Sequence, residues 1–184
     1  MVDSRESPLK NYKKQLIKKE YKDYIIEPKI YFKRPFYRFW FMFIEPNRNS
    51  LKKVEINKVL FSLKEEQYRL SSLVFEQLSI ELLKFIYKKD DLLTDISSYW
   101  DKNSEFDIYA KTKSAKYILG ECKYKNRPVT KAELIKLKQK AIYSNLIVDK
   151  FVFFSKSGFS QELYKLDSKN LELYELNDFK KLLN

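Results

Sequence analysis

Two predicted strands carry charged side chains at positions where strands are usually apolar. Asp107 has apolar neighbours on both sides, and Glu121 and Lys123 end a stretch with an apolar beginning. Aspartate is disfavoured in strands, and burial of an unpaired charge is costly. Glu121 and Lys123 are two positions apart, so they point to one face with Cβ atoms about 6–7 Å apart. If the strands are neighbours, Asp107 reaches that face, and two carboxylates and an ammonium group converge.

Such a group of side chains suits a hard divalent cation. Magnesium prefers oxygen ligands, and one or two carboxylates suffice when water and phosphate oxygens complete the shell. A cation held in this way lowers the pKa of water and neutralises phosphodiester charge. A neighbouring lysine orients or deprotonates that water, or stabilises the transition state. The alternative is an ordinary cross-strand ion pair between Asp107 and Lys123, worth about 0–1 kcal/mol if exposed.

The composition narrows the possible functions. With 184 residues, 44% of them hydrophobic, the chain is expected to form one main domain with a substantial core. A net charge of +12 favours a polyanionic partner, nucleic acid more than a membrane surface. The absence of histidine excludes Ser-His-Asp and Cys-His catalysis and histidine-metal nucleases. Two glycines are too few for a dinucleotide fingerprint and lie too far apart for a Walker loop.

The cysteine count and the lengths of the apolar segments indicate the cellular compartment. A single cysteine, Cys122, excludes an internal disulfide and a cysteine-cluster zinc site, which favours a reducing compartment. The first 14 residues lack the apolar segment of a signal peptide, and the most apolar stretch, residues 39–44, is far shorter than a bilayer span. A soluble cytoplasmic protein with no membrane partner is expected.

The elements that must position the charged residues follow from the hydrophobic period. From residue 70 the pattern predicts an αβββαβ order and then αβα, which is an α/β fold with a mixed central sheet flanked by helices. The first three strands should form an antiparallel meander, and Thr130 with Glu133 should cap the helix that follows. The predicted strands cover residues 92–100, 105–111, 116–124, 151–155 and 171–176, and the predicted helices cover 70–87, 130–144, 160–166 and 178–183.

Residues 1–69 are predicted to be an aromatic-rich helical extension ahead of a domain at 70–184. The expected helices are a weak one at 10–23, one from Pro35 to about residue 44, and one at 51–68. Ser71 or Ser72 would then cap a separate helix. The many large apolar side chains near Pro35 are expected to be buried against other elements, although base stacking by these rings is a second interpretation.

Asp107 followed fourteen positions later by Glu121-Cys122-Lys123 resembles the PD-(D/E)xK nuclease pattern, and the αβββαβ order resembles its restriction-endonuclease-like core. The residue before Asp107 is Phe106 and not the proline of that pattern. Over about residues 28–165 the sequence resembles the C-terminal domain of unknown function of archaeal-type DEXX-box ATPases. The segments that carry this likeness are 35–40, 46–47, 75–76, 100–107, 120–123, 137–141 and 154–159.

The resemblance implies roles for individual residues. Asp107 and Glu121 would hold a magnesium or manganese ion, with the carbonyl of Cys122 as a third ligand. Lys123 would be the catalytic lysine, and Glu76 on the preceding helix a supporting acidic residue. The implied activity is a metal-dependent deoxyribonuclease.

The expected nucleic-acid contacts lie around these residues. Gln139 or Lys140, on the following helix, would face the substrate strand. Basic residues that bracket the charged strands in sequence would form a phosphate-tracking rim. These are Lys111, Lys113, Lys116, Lys125, Arg127 and Lys131. Because no element is typical of a base-reading helix, little sequence specificity is expected.

Two further interpretations stay open. A non-catalytic domain would bind nucleic acid or dock onto an ATPase in trans, since the family carries an ATPase domain that this sequence lacks. A purely structural pairing module, including a homodimer, is the third. An ammonium or guanidinium group that fills the charged pocket and leaves no room for solvent would count against hydrolysis.

Overall fold

A computed structural model describes residues 2–5, 29–32, 34–101, 104–166 and 169–183. These residues form two compact units, one made of the described residues up to 74 and the other of those from 75 onward. The weak helix predicted at residues 10–23 lies outside the described residues. None of the described helices is long and apolar enough to cross a membrane.

The first unit contains a two-stranded sheet and short helices. Strand β1 is Val2–Arg5, β2 is Lys29–Phe32, helix α1 is Pro35–Phe39, and α2 is Arg48–Lys52. Pro35 occupies the first turn of α1, where its missing N–H leaves no helical hydrogen bond unmade. A π-helical turn, Trp40–Ile44, extends α1 to the predicted end.

The expectation that the aromatic side chains of this segment are buried is wrong for three of them. Phe43 is buried, but Phe36, Trp40 and Phe41 are 61%, 36% and 50% exposed. These rings pack on one another instead of inserting into a core. The Phe36 and Trp40 ring centroids are 6.0 Å apart, and Phe41 stacks on Phe32 at 5.1 Å.

Helix α3 is one continuous helix, Ile56–Tyr87, and not the two helices that the sequence predicts. Ser71 and Ser72 lie in its interior and cap nothing. Neither glycine nor proline occurs between residues 56 and 87, and an interior serine lowers helix stability by only about 0.5 kcal/mol relative to alanine. Two weak helix formers are therefore insufficient to end a helix of this length.

The second unit is built on a five-stranded mixed sheet. Its strands are β3 Leu93–Trp100, β4 Glu105–Thr112, β5 Tyr117–Lys123, β6 Lys150–Ser155 and β7 Leu171–Glu175. They lie in the order β3-β4-β5-β6-β7. The first three are antiparallel, as the meander predicts, whereas β6 is parallel to both β5 and β7. The predicted fold class, a mixed sheet flanked by helices, is confirmed.

Helices cover both faces of this sheet. The carboxyl-terminal part of α3 packs on one face, through Leu82 and Leu83. Helix α4, Lys131–Tyr143, packs on the other through Leu134 and Leu137, and it begins at the predicted capping box of Thr130 and Glu133. A short helix α5, Gln161–Tyr164, and a 3-10 helix, Leu176–Leu183, complete the unit. The α4 face is the one that carries the charged residues.

Candidate functional site

A β-bulge lies at Asp107. Between Ser97 and Tyr99 the pairing of β3 with β4 shifts register, so that Asp107 and Ile108 lie opposite the single residue Ser98. A bulge of this kind bends the strand and re-aims a side chain. The Asp107 carboxylate turns toward β5, where its Oδ2 accepts a hydrogen bond from the backbone N–H of Cys122 at 2.7 Å.

Glu121 lies at the centre of a group of charges. It is only 8% exposed, and the ammonium groups of Lys123 and Lys140 each contact one of its carboxylate oxygens. The Lys140 Nζ to Glu121 Oε1 distance is 2.8 Å. The register of β4 with β5 pairs Ile108 with Gly120, which places Asp107 one step further along, beside Glu121. The structure thus brings two carboxylates and two ammonium groups together.

The two carboxyl groups have opposite electrostatic environments. Burial raises the pKa of Asp107, and the charge of Glu121 raises it further, against the effect of the nearby lysines. Burial also acts to raise the pKa of Glu121, but the ammonium groups of Lys123 and Lys140 bring it below its usual value. The charge of Glu121 raises the pKa of Lys123 despite burial. Paired carboxyl groups with diverging pKa values are typical of sites that do acid–base or metal chemistry.

Lys140 is held at this site and not on the outer surface of α4. Its Nζ donates to the Glu105 carbonyl at 2.7 Å and lies 4.8 Å from the centroid of the Phe106 ring. Its side chain is still 37% exposed, against 21% for Lys123. Gln139 lies on the exposed side of the same helix. A role of either residue in facing a substrate strand stays a prediction.

Glu76 and the Cys122 thiol belong to the other face of the sheet. The Cys122 side chain packs in the core beneath α3 with Phe75, and burial, followed by the charge of Asp107, holds its thiol pKa well above the ordinary value. Glu76, on α3, also acts on this thiol. The supporting role of Glu76 stays a prediction, and the high pKa makes Cys122 a poor nucleophile.

The predicted basic rim is only partly near the site. Lys125 and Arg127 follow β5, but Arg127 pairs with Glu133 at 3.0 Å, so its charge is largely matched. Lys113 and Lys116 lie at the β4–β5 turn, about 20 Å along the strand from Lys123. Lys113 and Lys116 bracket the charged strands in sequence but lie at the opposite end of the hairpin from Lys123, so a phosphate-tracking rim at the site would have to come from the other basic residues.

Lys156 follows the carboxyl end of β6, and its side chain lies on the face of the sheet opposite to Lys123. Its Nζ lies 4.5 Å from the centroid of the Tyr124 ring and donates to Asn126 Oδ1 at 2.7 Å. Its backbone N–H donates to the Lys123 carbonyl at 3.0 Å. Because β5 and β6 are parallel, the backbone of Lys156 adjoins that of Lys123, whereas the Tyr124 ring that its ammonium group faces packs against Phe75 beneath α3.

The donor set fits a hard cation completed by non-protein ligands. Within the described part of the chain no group of three or more His, Cys, Asp or Glu side chains is placed to hold a metal ion. Asp107 and Glu121 supply two adjoining carboxylates, and magnesium sites commonly use one or two of these with water and phosphate oxygens. Both Glu121 oxygens contact ammonium groups, so a cation at Oε1 requires the partly exposed Lys140 to move.

The family model for DUF234, described as archaeal and bacterial proteins of unknown function, matches residues 40–140, more than half of the chain. The chain belongs to the DUF234 family. The DUF234 match extends from the π-helical turn to Lys140, so it includes Asp107, Glu121 and Lys123. The link between this family and an ATPase stays a prediction.

Comparison with other known proteins adds one remote similarity. The structure is similar to a repair endonuclease from Pyrococcus abyssi, with 13% sequence identity and a TM-score of 0.34. The similarity covers 53% of this DUF234 chain and 46% of the endonuclease chain, which is less than half of its length. A similarity this small bears on neither fold nor activity. No curated protein matches the sequence.

Proposed function

We propose that this protein is a magnesium- or manganese-dependent nuclease that hydrolyses DNA phosphodiester bonds with little sequence specificity. The observation that carries the proposal is the convergence of Asp107, Glu121 and Lys123 at the bulged β4 and the end of β5. A net charge of +12 supports a polyanionic substrate.

Asp107 and Glu121 would hold the cation, with the Cys122 carbonyl as a third ligand. When bound, such a cation supplies Lewis-acid activation of water and neutralises phosphate charge. The Cys122 N–H fixes the Asp107 carboxylate through Oδ2, which leaves Oδ1 to face the cation. The bulge and this hydrogen bond orient a first ligand without help from any histidine.

Lys123 would act on the reacting phosphate. Its ammonium group pairs with Glu121 and feels the charge of Asp107, and both carboxylates keep it protonated. A protonated lysine positioned there stabilises the charge that develops on the non-bridging oxygens. Lys125, which follows β5 and lies two positions after Lys123, would supply further positive charge toward a strand of DNA.

The test is cleavage of plasmid and single-stranded DNA with Mn²⁺ and with a chelator. Lys123→Met should reduce the cleavage rate at least 100-fold, because it keeps the bulk of the side chain and removes its charge. Lys113→Ala, at the far end of the β4–β5 hairpin, is the matched control and should retain the rate within twofold. Equal cleavage by wild type and Lys123→Met would overturn the assignment.

A second candidate, a DNA-binding domain without hydrolytic activity, is favoured by one observation. Both oxygens of Glu121 contact ammonium groups, which balances its charge without a metal. This candidate predicts DNA binding that weakens steeply with salt, does not respond to Mn²⁺ and yields no products. The partly exposed Lys140 favours the nuclease, since an exposed lysine exchanges a carboxylate partner for solvent or phosphate more readily than a buried one.

A further inference from the structure

Lys140 has contacts that resemble those of a bound cation. Its Nζ lies 2.8 Å from Glu121 Oε1 and 2.7 Å from the Glu105 carbonyl oxygen, and it faces the ring of Phe106. These are two oxygen contacts and one aromatic face around a single positive charge. A divalent ion at Glu121 Oε1 and the Lys140 ammonium group cannot occupy that position together.

The other lysine at Glu121 differs in how firmly it is held. Lys123 projects from the end of β5 and is 21% exposed, so it has little room to leave. Lys140 projects from α4 on a four-carbon stem, and its side chain is 37% exposed. Of the two, Lys140 is the more exposed to solvent.

We propose that Lys140 is a displaceable internal cation that keeps Glu121 from binding metal until a nucleic-acid phosphate draws it away. The proposal rests on the proposed function, because the phosphate and the metal are those of the nuclease site. A backbone phosphate at the rim of α4 offers Lys140 an alternative anionic partner. Departure of Lys140 leaves Oε1 with an open coordination position, so phosphate binding and metal binding reinforce each other. Lys140 is thus a positioning residue that acts through Glu121.

The expected change in Mn²⁺ affinity follows from how often Lys140 covers Glu121 Oε1. Metal affinity is reduced by the fraction of molecules in which Oε1 is accessible. If Lys140 covers Oε1 in about nine of ten molecules, its removal raises the affinity for Mn²⁺ about tenfold. Displacement of Lys140 by DNA can raise the Mn²⁺ affinity of the wild type by that same factor at most, and reciprocity requires Mn²⁺ to raise the DNA affinity equally.

The experiment is a titration of Mn²⁺ followed by electron paramagnetic resonance, without DNA. Lys140→Ala and Lys140→Gln should each bind Mn²⁺ about tenfold more tightly than wild type. Lys138→Ala is the matched control, because Lys138 lies on the same helix with its ammonium group over the ring of Phe151, 5.5 Å from the centroid. It removes an equal charge and should change the affinity by less than twofold. Glu121→Gln should weaken binding at least tenfold.

The second arm adds a phosphorothioate thymidine oligonucleotide, which resists cleavage. It should raise the Mn²⁺ affinity of wild type several-fold and that of Lys140→Ala by clearly less. Equal Mn²⁺ affinities of wild type and both Lys140 variants, with weakened binding by Glu121→Gln, would overturn this inference and leave the metal site standing. Failure of every protein to bind Mn²⁺ would overturn both the inference and the metal-dependent function.

Discussion

Each face of the five-stranded sheet holds a carboxylate that pairs with lysine, and the two carboxylates have different surroundings. Beneath α3, Glu172 accepts hydrogen bonds from the hydroxyls of Tyr87 and Tyr174, at 2.9 and 2.8 Å, and pairs with Lys150 at 2.6 Å. Beneath α4, Glu121 contacts two ammonium groups and adjoins a second carboxylate.

The difference is the basis for the proposal that Glu121, and not Glu172, belongs to a reactive site. Around Glu172 one carboxylate meets one ammonium group, which balances its charge, and two neutral hydroxyls donate to its oxygens, although a cavity adjoins Glu172, Tyr87 and Lys150. Burial raises the pKa of Tyr87 to about 12, so that it stays a hydrogen-bond donor. Around Glu121 the positive charge is divided between a firmly placed lysine and a displaceable one, and the neighbouring Asp107 has an unfavourable charge. A bound cation would supply the partner that the charged Asp107 carboxylate needs.

The largest effect expected from this comparison comes from neutralising the two glutamates. Glu121→Gln should lower Mn²⁺-dependent DNA cleavage at least 100-fold, because it removes an anionic ligand while preserving shape. Glu172→Gln should leave cleavage within about threefold. The measurement is the cleavage rate of the two purified variants on the same plasmid. A comparable loss of cleavage in both would contradict the proposed difference between the two faces.

The next prediction concerns stability, at a position where β5 packs closely against its neighbouring strands. Gly120→Ala, in β5, would place a Cβ 2.5 Å from Val152 Cγ1 and 3.2 Å from Ile108 Cβ. Neighbouring strands must shift, so we expect a loss of about 1–3 kcal/mol in the free energy of unfolding. Denaturant unfolding measures it, with the exposed Ala132→Gly, in the first turn of α4, as a control for a single-methyl change. An unaltered Gly120→Ala midpoint would mean that β5 and β6 pack less closely than described.

Lys150→Met tests the structural pair itself. It leaves the partly buried Glu172 with hydroxyl partners only, and the loss of one charge-assisted hydrogen bond should destabilise the protein by about 1–2 kcal/mol. Cleavage at 25 °C should persist, because Lys150 lies on the other face from Glu121. Thermal unfolding and the cleavage assay are run on one preparation; a variant that is stable but inactive would contradict the division between the faces.

The smallest expected effect is a gain in thermal stability. Asp107→Asn should raise the unfolding temperature at pH 7 while it abolishes metal binding, because burial and Glu121 disfavour the charged carboxylate. The amide oxygen of asparagine still accepts the Cys122 N–H, so the bulge is preserved. Differential scanning calorimetry on wild type and variant measures the shift in unfolding temperature. A lower unfolding temperature of the variant would show that the charged Asp107 stabilises the fold.

The sequence predicts the sheet and its charged positions well because both follow from local patterns. Alternation of apolar and polar residues identifies β4, an apolar run that ends in charged residues identifies β5, and two-residue spacing places Glu121 and Lys123 on one face. The capping box at Thr130 and Glu133 is likewise readable, since its partners are three residues apart.

Features that depend on tertiary packing could not be predicted from the sequence. The bulge at Asp107 arises from pairing with β3, and the contact of Lys140 with Glu121 depends on how α4 crosses the sheet. The unbroken α3 shows that two serines are too weak a signal to end a helix. The exposed Phe36 and Phe41 show that apolar composition alone does not guarantee burial.

The most direct test of the account is a crystal of the protein soaked in Mn²⁺ and measured at the manganese absorption edge. The account predicts an anomalous peak between the Asp107 and Glu121 carboxylates, with the Lys140 ammonium group moved off Glu121 Oε1. Lys140 still bound to Glu121 and no peak beside either carboxylate, in a crystal with the site open to solvent, would contradict it.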